Sequence, residues 1–258
     1  MVRIFFAFLL AASAFIEGAI VEVHNFNQIE DYVTPNTLRV FDIDNTLMQL
    51  KQQLGSDEWF YHRMNHYTQE SKSPTDALEL ALNEWESIQH LASVDPVESE
   101  TAALVRSLQE RFSAIGLTTR GLGLATRTIQ QLNSIDINLA LHPISRDEIH
   151  FMVSNEGILY RKGILFTAGR HKGECLRLLL ESADFQPERV LFINDKKSHI
   201  LPVESFCESH GIEFIGLRYG FLDEKVNNYN PDIAEVQWQH FGKILSDSEA
   251  TLLLDLDG

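Results

Sequence analysis

Residues 38–43 read LRVFDI, a short β-rich apolar run that stops abruptly at Asp44, Asn45 and Thr46. A run of this length, closed by turn-forming polar residues, predicts a buried strand whose C-terminal end carries the polar groups. Similar runs recur at 113–118, 190–193 and 213–217. Between them lie stretches with helical spacing at 97–112, from a Gly-containing turn at 120–123 to about Asn133, at 173–182 and at 203–210. Strands that alternate with helices imply the α/β class, with a parallel, doubly wound sheet.

Two insertions interrupt that alternation. Between 56 and 91, Trp59, Phe60, Met64 and Tyr67, then Ala77, Leu78, Ala81, Leu82 and Trp85, return at helical spacing, broken at Ser73 and Pro74. This predicts a small cap of two helices. Pro96 is expected to open the next helix. Residues 149–167 alternate in polarity, with Gly157 and Gly163 as turn residues, which predicts a small antiparallel hairpin or meander. No internal repeat or low-complexity linker divides the chain, so one domain over 20–258 with inserted elements is expected. Residues after Phe241 are left unassigned.

In an open parallel sheet, ligands bind beyond the carboxyl ends of the strands. Those ends supply Asp42 and Asp44 in FDIDNTL, Thr118 in IGLTTRG, Lys172 in TAGRHKGE and Asp195 in VLFINDKKS. An Asp-x-Asp alone occurs by chance in turns and helix caps. The four together, in this order and each at a strand end or helix start, form a strong joint signal.

Over about 38–217 these motifs resemble the haloacid dehalogenase-like phosphatases, whose signature is an Asp-x-Asp-x-Thr strand end, a Thr or Ser strand end, a Lys and an acidic strand end. FDIDNTL, LTTRG and GILFTAGRHKGE look similar to a little-characterised group of exported bacterial members of that superfamily. The resemblance implies a Rossmann-like core and Mg2+-dependent hydrolysis of a phosphomonoester. Asp42 would attack phosphorus and become an aspartyl-phosphate. Asp44 would give a proton to the departing oxygen and take one from the hydrolytic water. Asp42, the backbone carbonyl of Asp44 and Asp195 are the implied metal ligands, a hard-oxygen set that suits magnesium. Thr118 would donate to a phosphoryl oxygen and Lys172 would neutralise charge. One departure stands out: Asn194 precedes Asp195 where many relatives carry an acidic pair, which puts metal affinity in question.

The residues leave neighbouring assignments open. Thr119 shares its turn with Thr118 and is a second substrate-binding hydroxyl, while Arg170 and Lys162 compete with Lys172. Arg120 is placed at the cleft mouth as a substrate contact. Lys196, Lys197 and His199 read as a solvated loop, and Trp59, Phe60, Tyr61 and Trp85 as cap core ahead of a substrate platform.

Charge narrows the partners. Lys plus Arg number 21 against 37 Asp plus Glu, a net −16, so a broad surface for duplex nucleic acid or anionic lipid is excluded. A small phosphorylated substrate fits, because a metal and a few cations can reverse the potential inside a cleft. The N-terminus has Arg3, an apolar run from Ile4 to Ile16 and small residues at Gly18 and Ala19, the pattern of a signal peptide over 1–19. The run is shorter than the ~20 residues that span a bilayer, so no stable membrane anchor is expected after cleavage. Cleavage removes Arg3 and Glu17 together and leaves the acidic balance unchanged. The expected location is periplasmic or secreted. Cys175 and Cys207 pair if their helices are neighbours, or are two buried thiols. Transfer of the phosphoryl group to another acceptor is also left open. The reading from a different class is a catalytically weak or inactive binding or effector protein that uses its cap to engage a protein partner.

Overall fold

The computed structural model describes residues 19–70, 72–153 and 156–241. Of the expected leader, residues 1–18 fall outside these, as does the tail after Phe241. The chain opens with β1 (Ala19–Val23) and a 3-10 helix at Phe26–Tyr32, then enters β2 (Thr37–Phe41). A short strand β3 (Met48–Leu50) leads to α1 (Asp57–Gln69), α2 (Pro74–Leu91) and β4 (Val94–Pro96). Next come α3 (Thr101–Arg111), β5 (Ala114–Thr118) and α4 (Ala125–Asn133). Strands β6 (Ile149–Val153), β7 (Glu156–Arg161) and β8 (Ile164–Phe166) precede α5 (Lys172–Ser182). The remainder is β9 (Arg189–Asn194), α6 (Lys197–Ser209), β10 (Glu213–Tyr219), α7 (Asp223–Asn227) and α8 (Pro231–Gln239).

Among the described residues one sheet runs in the order β1-β10-β9-β2-β5-β8-β7-β6. Pairing is parallel from β1 through β8 and antiparallel across β8, β7 and β6, so the expected meander extends the main sheet. Period-2 alternation sends each strand's side chains into two cores. Leu38, Val40, Val190 and Phe192 pack with α5 and α6, while Phe41, Leu191 and Ile193 pack with α3 and α4. Each such full burial stabilises by roughly 2 kcal/mol. This is the doubly wound α/β fold.

The 56–91 insertion is the expected helix pair. Ser56 Oγ accepts from Trp59 N and caps α1; Ser73 Oγ accepts from Asp76 N and caps α2, with Pro74 in the first turn. Its buried face, Trp59, Trp85 and Ile88, packs with Leu124 of the core and Ala234 of α8. Trp59 and Trp85 are therefore cap core, whereas Tyr61 is 56% exposed.

Pro96 does not open a helix. It pairs with Met48 in the β3–β4 ribbon that carries the insertion, where its missing N–H costs nothing at an edge, and Gln49 Nε2 donates to its carbonyl. Helix α3 begins later, at Thr101, whose Oγ1 accepts from Glu98 N. Gly157 is no turn either, lying within β7 opposite Met152. Gly163 does turn, with φ at 79° and its α-carbon facing Leu139 O, where a Cβ would sit 2.0 Å away. Helix α6 starts six residues before the expected 203, at Lys197, and accommodates Pro202 in its interior. Cys175 and Cys207 lie on the packed pair α5 and α6, both buried and unpaired. Burial pushes their thiols up to about 11 and about 12.

Candidate active site

Strand β2 ends at Phe41, two residues earlier than the apolar run suggests. Asp42 N still donates to Ile193 O at 3.0 Å, but Leu47 N and Met48 N both fold back onto Ile43 O. Asn45 takes φ 57°, a left-handed conformation that Asn tolerates. The turn leaves Asp42 and Asp44 at the carboxyl end of the central strand, between β9 and β5.

Lys172 reaches Asp42 from the start of α5. The loop before it is laced to the loop after β5: Thr167 N donates to Thr118 O, Ala168 N to Arg120 O and Gly169 N to Thr119 O. Ala168 and Gly169 both have positive φ, which folds this loop tightly. Lys172 Nζ then donates to Asp42 Oδ1 at 2.5 Å, with Lys172 2% and Asp42 6% exposed. Burial raises the Asp42 carboxyl above its ordinary range, and Lys172 works against that shift. The helix can approach α6 because its second residue is glycine. A Cβ on Gly173 would lie 2.0 Å from Pro202 O.

Thr118 is buried, and its Oγ1 accepts from Arg120 N at 3.2 Å, so its O–H is left to donate. Thr119 is exposed. Asp195 follows β9, its carbonyl accepting from Arg218 Nε. Burial, and next the charge of Asp42, push its carboxyl up to about 8. Buried Asp42 and half-buried Asp195, whose ionisation the Asp42 charge opposes, form a hard-oxygen donor set whose charge a divalent cation would relieve, so the residues fit the implied magnesium. Asn194 is fully buried, its Oδ1 accepting from Lys196 N at 2.7 Å. Its side chain therefore builds the turn that carries Asp195.

Two expectations are overturned. Arg120 does not lie at the cleft mouth: it is 2% exposed and clamps Asp44, Nε to Oδ2 at 2.8 Å and Nη2 to Oδ1 at 2.7 Å. An unpaired guanidinium could not be buried there, and Asp44 supplies the counter-charge. Lys196 is not a solvated loop residue either. It pairs with Asp57 at the start of α1 and lies 5.6 Å from the Tyr61 ring, joining the cap to the core. Burial opposes its charge, but Asp57 and Asp195 raise its pKa well above the ordinary lysine range. The polar partners Gln89, Thr128 and Gln131 of Arg120 were also not anticipated. Gln89 left a signal, since it stands four residues after Trp85 and one after Ile88, on the apolar face of α2.

His199 is half-buried near the same lysines. Burial, then Lys172 and Lys196, lower its pKa to about 4. The fold thus favours neutral His199, and the stabilisation present above pH 6.5 is lost as pH falls toward 4. With a discount for its partial exposure this is worth about 1–2 kcal/mol. Replacing it with Gln should flatten that part of the stability profile, as measured by urea melts at pH 7 and pH 4.5. An unchanged profile would refute the assignment.

Fold and site together define a doubly wound α/β protein with a buried carboxylate–lysine pair at the strand ends, capped by a helical insertion. Among solved structures, a haloacid dehalogenase-like family hydrolase from Streptococcus pneumoniae is similar in part, 13% identical over 70% of this chain and 93% of its own, with a TM-score of 0.44. A Bacteroides thetaiotaomicron enzyme of that superfamily, solved with magnesium and inorganic phosphate, is 9% identical over 69% and 92%, with a TM-score of 0.40. The chain belongs to the family described as "Protein of unknown function (DUF2608)", whose model matches residues 22–251. Relatives named "Putative outer membrane protein" occur in Chlamydia muridarum, 28% identical over 98% of this chain and 97% of that one, and in Chlamydia pneumoniae, 27% identical over 97% and 96%.

Proposed function

We propose that this protein is an exported, magnesium-dependent phosphatase that hydrolyses a small phosphomonoester through an aspartyl-phosphate on Asp42. The observation that carries the reading is the buried contact between Asp42 and Lys172, with Asp195 close enough for its carboxyl to feel the Asp42 charge. Asp42 Oδ attacks phosphorus while the bond to the ester oxygen breaks, and that oxygen takes a proton from Asp44. Water then attacks the aspartyl-phosphate, gives its proton to Asp44 and releases phosphate. Thr118 and Lys172 hold the phosphoryl oxygens. A magnesium ion held by Asp42, Asp195 and the Asp44 carbonyl would supply the remaining neutralisation of phosphoryl charge. Export rests on the leader pattern of 1–19 and on the relatives' name; among the described residues no helix is long and apolar enough to cross a membrane.

The chain lacking residues 1–19 should release phosphate from p-nitrophenyl phosphate with magnesium and lose at least about 100-fold in rate with EDTA. A second reading, a protein-binding role for the cap, is favoured by the exposure of Tyr61, Leu78, Leu82 and Leu91 on the insertion. Folded protein with magnesium but no turnover of aryl or alkyl phosphates would favour that second reading.

A further inference from the structure

All five N–H donors of Arg120 are spent, and on three parts of the molecule. Nε and one Nη2 hydrogen take the two oxygens of Asp44. Nη1 donates to Thr128 Oγ1 at 3.1 Å and Gln131 Oε1 at 2.8 Å, both on α4. The last Nη2 hydrogen goes to Gln89 Oε1 on α2 of the cap, at 3.0 Å. Gln89 is 1% exposed, and its Nε2 donates to Gly55 O at 2.8 Å, just before α1 begins. Trp85, one helical turn from Gln89, lies with its ring 5.5 Å from the guanidinium.

Resting on the reading of Asp44 as the group that exchanges the proton, we infer that Arg120 is its positioning residue and that Gln89 makes the position depend on the docked cap. A carboxylate on a turn has two free torsions, and a bidentate guanidinium fixes both. Each Asp44 oxygen keeps a second lone pair, which can accept a proton from water or carry the one that passes to the ester oxygen. The guanidinium cannot pivot, because its other donors are held by α4 and α2. A cap that lifts takes Gln89 and the Trp85 ring with it, loosening the fork on one side. The cap thereby reports its position to the reacting carboxylate. Displacing a reacting group by about 1 Å costs on the order of 100-fold in rate.

The test is a mutant cycle read by steady-state hydrolysis of p-nitrophenyl phosphate, an ester whose leaving group needs little protonation, so that Asp44→Asn retains measurable turnover. Gln89→Leu should lower kcat about 10-fold and Arg120→Lys about 100-fold, with KM within twofold. Gln89→Glu, which keeps an acceptor for Arg120, should recover part of the loss. In the Asp44→Asn background neither Gln89→Leu nor Arg120→Lys should lower kcat by more than a further twofold, because both act through Asp44. Full additivity in that background, or losses confined to KM, would overturn the positioning role while leaving the phosphatase intact. Absence of Asp42-dependent turnover in the unmutated chain would overturn both. If Arg120→Lys does not fold, the Gln89→Leu cycle decides alone.

Discussion

Asp42→Asn should lower hydrolysis of p-nitrophenyl phosphate by about four orders of magnitude while leaving a folded protein. Asn matches Asp in shape, and its amide oxygen still accepts from Lys172 Nζ, which now sits 2.5 Å from Asp42 Oδ1. The variant keeps the hydrogen bond but loses the charge that offsets a buried ammonium. A stability loss of about 1–3 kcal/mol is therefore expected, below the 3–5 kcal/mol of a pair broken outright. Chemistry suffers far more, because a neutral amide does not form the covalent phosphoryl intermediate. Phosphate release and urea melts on the same preparation separate the two effects. Turnover within tenfold of the unmutated chain would exclude Asp42 as nucleophile.

Gly173→Ala should be strongly damaging for the addition of a single methyl group. The added methyl would lie 2.0 Å from Pro202 O and 2.7 Å from its carbonyl carbon, both backbone atoms of α6 that cannot rotate away. Helix α5 must then back off from α6, at a cost of about 3 kcal/mol, the upper part of the range for overpacking. Lys172 is the adjacent residue and moves with the helix, so kcat should fall about 100-fold as well. Melting and turnover measured together check this. A variant as stable and active as the parent would mean that α5 and α6 adjust without moving Lys172.

The parts of this protein legible in its sequence are those where one local rule decides. Apolar runs closed by Asp, Thr or Asn fixed the strand ends, and with them the positions of Asp42, Asp44, Thr118 and Asp195 at the carboxyl ends of the central strands. Ser73 and Pro74 marked the break in the insertion because capping and a missing N–H act over a single turn. What stayed hidden depended on partners distant in the chain. Arg120 is 76 residues from Asp44, and Lys196 is 139 residues from Asp57. Neither spacing has a local signature, and an isolated arginine or lysine after a strand end reads as solvated until its counter-charge is seen. Pro96 misled for a related reason: its edge position opposite Met48 is set by the ribbon partner and not by its neighbours. Strand β1 and helices α7 and α8 were missed because each is too short or too exposed to show a periodic pattern.

The outermost strand has a consequence for folding. Among the described residues β1 pairs only with β10, residue Ala19 opposite Ile215 and Val23 opposite Tyr219, across nearly two hundred residues of intervening chain. Loop closure on that scale is rewarded only after the strands between have assembled, so this edge should be the last part of the sheet to form. A chain made or translocated from its N-terminus holds AIVEV without a partner until almost all the rest has emerged. Its residence time in that incomplete state, more than the strength of its core, then sets its exposure to proteases and to mispairing with other strands.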